Sequence, residues 1–103
     1  MCALLKHDLI EARAFRQNEC FDAAVTFARA EGTIPAPECA HAIRAVVEEA
    51  QEDQTILFNL SGHGHFDLAA YDAYLSGSLE DPEFSEADME AALAALPEAP
   101  AIA

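Results

Sequence analysis

Seven consecutive residues, Ser61-Gly62-His63-Gly64-His65-Phe66-Asp67, gather a hydroxyl, two imidazoles and a carboxylate into one glycine-rich turn of this 103-residue chain. Glycines let a flat ligand approach the backbone closely, so one reading of the turn is a small-molecule contact. A second reading is metal binding, because His63, His65 and Asp67 alternate, and alternate residues of an extended segment share a face. A metal centre needs a third or fourth ligand, however, and only His7, His41 and scattered acids remain. Asp67 also reads as the cap of the helix that follows, so no metal site is expected. Nucleophilic catalysis fares no better. Ser61 lacks a His and Asp arrangement and a G-x-S-x-G setting. Cys39 and His41 stand two apart on a helix, where side chains diverge. Glu38 falls in the first turn of that helix, where an acid complements the dipole. No residue of this chain is assigned a catalytic role.

The elements that must position this turn follow from periodicity and punctuation. Met1 to about Asp8 reads as a short helix, and Leu9–Phe15 alternates loosely enough for a weak strand. From Asn18 to Glu31 the apolar residues Phe21, Ala24, Val25 and Ala28 recur at helical spacing, with Asn18 as N-cap and Gly32 as the closing glycine. Two prolines make Thr33-Ile34-Pro35-Ala36-Pro37 an extended lead-in, and Pro37 suits the first turn of a helix running to about Gln51. Cys39, Ile43, Val46 and Ala50 form its inner stripe. Thr55–Leu60 (TILFNL) is apolar at nearly every position, as a strand is when both faces are covered in a parallel sheet. A helix over Leu68–Leu75, closed by Gly77, follows the turn. Ser85 and Asp88 outline a capping box for a last helix bearing Met89, Ala92, Leu93 and Leu96 and stopped by Pro97. The expected fold class is α/β, helices around a small, mostly parallel sheet, in one domain over 1–96 with a loose tail over 97–103. One strong and one weak strand cannot make a covered sheet alone. The Ile56-Leu57-Phe58 run therefore calls for a partner, either a second copy of the chain in a homodimer or a missing portion of a larger protein.

Charge narrows the partners. The chain has 19 acidic and 5 basic residues and a formal net charge of −14. All five basic residues (Lys6, Arg13, Arg16, Arg29, Arg44) precede position 45, whereas thirteen acids lie beyond it with no Lys or Arg. Nucleic acid and anionic membrane surfaces are poor partners for such a chain, since phosphate contacts need cations. No apolar run reaches the roughly 18 residues of a membrane span, and Met1–Lys6 has no secretory pattern. A cytoplasmic location is the expectation. Three widely spaced cysteines, Cys2, Cys20 and Cys39, give neither a disulfide framework nor a zinc knuckle. Cys20 and Cys39 fall at apolar helical positions and read as buried thiols.

Two motifs carry a family resemblance. Glu31–Ile43 (EGTIPAPECAHAI) is similar to the E-G-I-I-P-A-x-E-x-x-H-A segment of tryptophan synthase β subunits, and Phe58–Asp67 (FNLSGHGHFD) resembles their N-L-S-G-x-G loop. The S-G-H-G-H-F-D-L wording and the Ala36-Pro37-Glu38 step resemble the second, divergent branch of that family. Leu9–Ala12 and Phe21–Arg29 fit the same branch. The resemblance implies a pyridoxal 5′-phosphate enzyme of fold type II, a lyase that joins serine and indole to give tryptophan. It also implies that this chain corresponds to the C-terminal portion of a subunit several times longer. The lysine that anchors the cofactor, the acid that handles substrate protons and the glycine-rich phosphate cup lie upstream in the family. Lys6, the only lysine here, does not match the family's lysine motif.

Carried across, Ser61 matches the serine that hydrogen-bonds the pyridine nitrogen of the cofactor. A neutral hydroxyl there leaves the ring nitrogen unprotonated, which suits β-elimination and replacement. Gly62 matches the glycine beside the ring, and Glu38 the pocket glutamate near it. Thr33 stands where the family usually has Ile, and Cys39 where it has Ser or another small residue. The expectation for this chain alone is no turnover and no, or weak, cofactor binding. Three roles stay open: a non-catalytic domain that folds alone or dimerises, one half of a split enzyme, and a small-ligand module built on Ser61–Asp67.

Overall fold

The computed structural model describes residues 2–83 and 85–96. Five α-helices follow one another, α1 (Cys2–Lys6), α2 (Gln17–Glu31), α3 (Pro37–Glu49), α4 (Leu68–Leu75) and α5 (Glu86–Ala94). A short 3-10 turn, Gly64–Phe66, precedes α4. The helices stand close to where periodicity puts them. The expected loose tail over 97–103, and Pro97 as a helix stop, lie outside the described residues.

α2 and α3 form the body of the fold. α2 buries Cys20, Phe21, Ala23 and Ala24, and α3 buries Cys39, Ala40 and Ile43. α4 adds Tyr71, whose ring meets Phe21 edge-on with centroids 5.0 Å apart, while Tyr74 stacks on Phe21 at 5.8 Å. Such aromatic pairs contribute about 0.5–1.5 kcal/mol each beyond the area they bury. Cys20 and Cys39 are buried thiols, as their helical positions require.

The helix ends follow the expected chemistry with two corrections. Gly32 takes the left-handed conformation at φ 72°, and its N–H donates to the Ala28 carbonyl at 2.9 Å. Pro37 opens α3 at its first position, and the Ser85 hydroxyl accepts from the Asp88 N–H at 3.1 Å. Asn18, read as the cap of α2, lies inside its first turn. The Asn18 N–H instead donates to the Asp81 carboxylate at 2.9 Å, and the Asn18 side chain donates to the Leu79 carbonyl at 3.2 Å. A carboxylate far along the chain thus satisfies a free N–H of the helix start, an arrangement no local rule reveals. Asp67 precedes α4 but makes no side-chain cap; its carbonyl accepts from Ala70 and Tyr71.

The larger correction concerns the sheet. Among the described residues there is no β-strand. Leu9–Phe15 and Thr55–Leu60 are irregular, and the described residues are helical, without the small sheet expected of the α/β class. A strand exists only as part of a ladder, and no other described segment pairs with either one. Leu57 is 96% exposed, whereas Phe58 alone of its run turns inward and meets Phe27 edge-on at 6.1 Å. α5 also buries none of its residues.

Candidate functional site

The two sequence motifs dock on each other. Pro35 and Pro37 hold Thr33–Ala36 extended, which directs its carbonyls away from its own helix and toward the glycine-rich turn. The Gly64 N–H donates to the Ile34 carbonyl at 2.9 Å. The Tyr71 hydroxyl donates to the Pro35 carbonyl at 2.6 Å. The Cys39 thiol donates to the Ser61 carbonyl at 2.9 Å, with its sulfur 3.6 Å from the Ser61 hydroxyl oxygen. Three polar contacts therefore join Ile34–Cys39 to Ser61–Tyr71.

The glycines of the turn divide the work. Gly62 sits at φ 74°, a left-handed conformation that side chains rarely adopt. Gly64 has ordinary backbone angles but no room: a Cβ there would collide with the Pro35 carbonyl oxygen and lie 2.7 Å from Ile34 Cγ2. Gly64 is thus spent on packing the turn against the Pro35 segment, and Gly62 alone presents open backbone beside Ser61. Ser61 itself is exposed.

Burial pushes the Tyr71 hydroxyl up to about 12, with Asp67 and Cys39 adding to the effect, so it remains a donor to Pro35 across the neutral range. Burial likewise pushes the Cys20 thiol up, with nearby Glu19 adding to it.

The remaining candidates are placed elsewhere. Glu38 is exposed and lines a cleft of about 560 Å³ between the starts of α2 and α3, with Arg16, Cys20, His41 and Asp81 among its neighbours. Its neighbour Cys39, rather than Glu38, is the residue of α3 that touches Ser61. His41 lies along its own helix, its Nδ1 3.4 Å from the Pro37 carbonyl. His63 and His65 stack edge-on at 5.0 Å, and the His65 N–H donates to His63 Nδ1 at 3.2 Å. That bond caps the 3-10 turn and occupies a nitrogen a metal would use. Among the described residues no three His, Cys, Asp or Glu side chains converge on a point that could hold a metal ion. Cys39, Gly64 and Tyr71 are the site residues that sequence reasoning missed. Each acts through a contact to a residue distant in sequence.

An exposed serine beside open backbone, held on the lead-in of a second helix, is the kind of surface that ligand-binding enzymes present on their loops. The chain is 56% identical to tryptophan synthase beta chain 2 of Aquifex aeolicus, over 79% of this chain and 20% of the relative. It is 57% identical to tryptophan synthase beta chain 2 of Methanosarcina mazei, over 75% of this chain and 19% of the relative. It is 51% identical to the tryptophan synthase beta chain of Pyrococcus horikoshii, over 81% of this chain and 19% of the relative. In each the match falls in the C-terminal portion, so over about four fifths of its length this chain is similar to the C-terminal portion of tryptophan synthase β chains. It spans about a fifth of the length of the curated relatives it matches. No family model matches the chain. No described helix is long and apolar enough to cross a membrane.

Proposed function

We propose that this chain forms the ring-facing part of a pyridoxal 5′-phosphate site for β-replacement, in which L-serine and indole give L-tryptophan, and that it performs no turnover by itself. The observation that carries this reading is the docking of Ser61–Gly62 on Ile34–Cys39 through the Cys39, Gly64 and Tyr71 contacts. The residues present fit one side of the cofactor. The hydroxyl of the exposed Ser61 offers a neutral donor to a pyridine nitrogen, and Gly62 leaves its face of the ring unobstructed. They do not supply the other side. Lys6, at the exposed end of α1, is the only lysine in the chain. When bound, the cofactor supplies the electron sink for eliminating and replacing a β-substituent. Ser61 contributes orientation and an uncharged partner for the ring nitrogen, and Glu38 an acid within one helical residue of the Cys39 contact.

The same reading gives Thr55–Leu60 its role. Leu57, Leu60 and Ile56 are exposed, and a strand with two apolar faces is completed by a sheet from outside. The portion bearing the lysine and the phosphate cup is the proposed source of that sheet. A homodimer is the second reading, favoured by the same exposed run. Both follow from one experiment. The chain is assayed for tryptophan formation with cofactor, serine and indole, alone and mixed with the upstream portion of the Aquifex aeolicus relative, while light scattering gives its mass. Turnover only in the mixture supports the ring-facing role. Turnover by the chain alone, or a stable dimer that refuses the upstream portion and leaves the mixture inactive, overturns it.

A further inference from the structure

We infer that Cys39 is a positioning residue for Ser61, its thiol acting as the hydrogen-bond donor that fixes the Ser61 carbonyl and so sets the place of the neighbouring hydroxyl. The inference rests on the ring-facing reading above and names the group that holds its central residue in place.

Cys39 lies near the start of α3, where side chains lean back toward the helix N-terminus and hence toward the docked turn. It is only 6% exposed, so water does not compete for its proton. Its sulfur is 2.9 Å from the Ser61 carbonyl oxygen and 3.6 Å from the Ser61 hydroxyl oxygen. A thiol has one proton to give and is a weak acceptor. Donation to the nearer carbonyl therefore leaves the sulfur as only a weak acceptor toward the Ser61 hydroxyl, which can exchange that contact for a stronger acceptor.

Geometry makes this contact the one that matters for Ser61. The turn is held at three points, but the other two lie further along it. Gly64 donates to Ile34, and Tyr71 reaches Pro35 from α4. On the other side of Ser61 stands the largely exposed Thr55–Leu60 run, which meets the helices through Phe58 on Phe27, three residues away. Between them stands the single left-handed Gly62, so the Cys39 contact and the Gly64 anchor hold the two ends of one short turn. Cys39 is then the only described hydrogen-bonding partner of Ser61.

Serine is the discriminating substitution. Its hydroxyl keeps a donor at the same place on a slightly shorter bond, whereas Cys39→Ala keeps the helix and removes the donor. Two readouts on the full chain separate anchoring from general stability. Amide hydrogen exchange at Gly64 and Asp67 reports the turn, with Ala24 in the core as control. Titration with pyridoxal 5′-phosphate, followed by the cofactor's absorbance and fluorescence, reports the Ser61 hydroxyl. Cys39→Ala is expected to speed exchange at Gly64 about tenfold and weaken cofactor binding about tenfold, with Ala24 unchanged. Cys39→Ser is expected to restore both to within about twofold of the native chain. Native-like exchange in Cys39→Ala overturns the inference. So does a Cys39→Ser variant as impaired as Cys39→Ala, which would make the sulfur a packing group rather than a donor. Where the chain alone takes up no cofactor, the titration is made in the mixture with the upstream portion of the Aquifex aeolicus relative; a Cys39→Ala mixture that binds cofactor as the native mixture does makes the ring-facing function fail, while the exchange comparison still decides whether Cys39 holds Ser61.

Discussion

Two extended segments of this chain have opposite fates. Thr33–Ala36 is short, carries two polar or small residues, and is fixed: Pro35 and Ala36 are buried, and the carbonyls of Ile34 and Pro35 both accept hydrogen bonds from the turn and α4. Thr55–Leu60 is more apolar, yet Ile56, Leu57 and Leu60 face solvent. The difference lies in the backbone. A segment stays ordered inside a fold when its N–H and C=O groups find partners as well as its side chains. Thr33–Ala36 has donors aimed at it from Gly64 and Tyr71. Thr55–Leu60 needs a ladder, and hydrophobicity alone cannot supply one. Apolar character states what a segment requires, and the partners present decide whether it is met.

The sharpest way to break the fixed segment is Gly64→Ala. The added methyl meets a carbonyl oxygen and Ile34 Cγ2 at 2.7 Å, with Tyr71 Cε2 at 3.1 Å on the far side. No flexible side-chain end is among these neighbours, so the turn must lift off Pro35. Overpacking of this kind costs about 2–3 kcal/mol. Urea unfolding monitored by circular dichroism should show that loss. Gly77→Ala is its control, because Gly77 is left-handed but has open space around it. It should lose only about 1 kcal/mol, the cost of the backbone conformation. Equal losses would mean that the docking of Gly64 on Pro35 is not what holds the turn.

Much of this contrast was legible in the sequence, and the illegible part has a physical pattern. The helices α2 to α5, the Gly32 closure, Pro37 at the start of α3 and the Ser85 cap are local, since each depends on residues within four positions. Ser61 and Gly62 were legible through the family motif, and the structure places them on the second motif. The Asp81 contact to the start of α2, the Cys39 thiol on Ser61 and the crowding at Gly64 join residues far apart in sequence, and no periodicity announces them. The TILFNL run was read as a strand needing cover on both faces, and among the described residues it is not a strand. That reading did not reveal that the described residues provide none.

Tyr71→Phe tests the same anchor more gently. It removes the hydroxyl bond to Pro35 and leaves the ring against Phe21, so the expected loss is about 1–2 kcal/mol at neutral pH. The pH profile adds a sign. Burial holds the folded Tyr71 hydroxyl at about 12, above its ordinary value of 10. The unfolded chain therefore releases that proton first. The stability Tyr71 contributes is complete below pH 10 and is lost as pH rises toward 12. Tyr74, raised by burial and by Asp22, adds a loss of the same sign. Chemical denaturation at pH 8 and in the alkaline range should show a steeper decline for the native chain than for Tyr71→Phe. Parallel declines would remove Tyr71 from the alkaline transition.

The exposed segment is tested by substitutions whose effects on the isolated chain are small. Phe58 is half-buried against Phe27 and lines a groove of about 300 Å³ with Val46 and Val47. Truncating it to alanine should cost about 1–2 kcal/mol, less than a fully buried phenylalanine would. Leu57, at 96% exposure, has almost nothing to lose. Leu57→Asp should change the melting midpoint of the chain by no more than the roughly 0.5 kcal/mol typical of surface positions. In the mixture with the upstream portion of a relative the order reverses. If Thr55–Leu60 completes a sheet with two covered faces, Leu57→Asp buries an unpaired carboxylate there and abolishes assembly, because such a charge costs several kcal/mol. A Leu57→Asp chain that still assembles with the upstream portion would show that this run stays in solvent throughout. Its apolar character would then need a different explanation from the one the comparison of the two segments supplies.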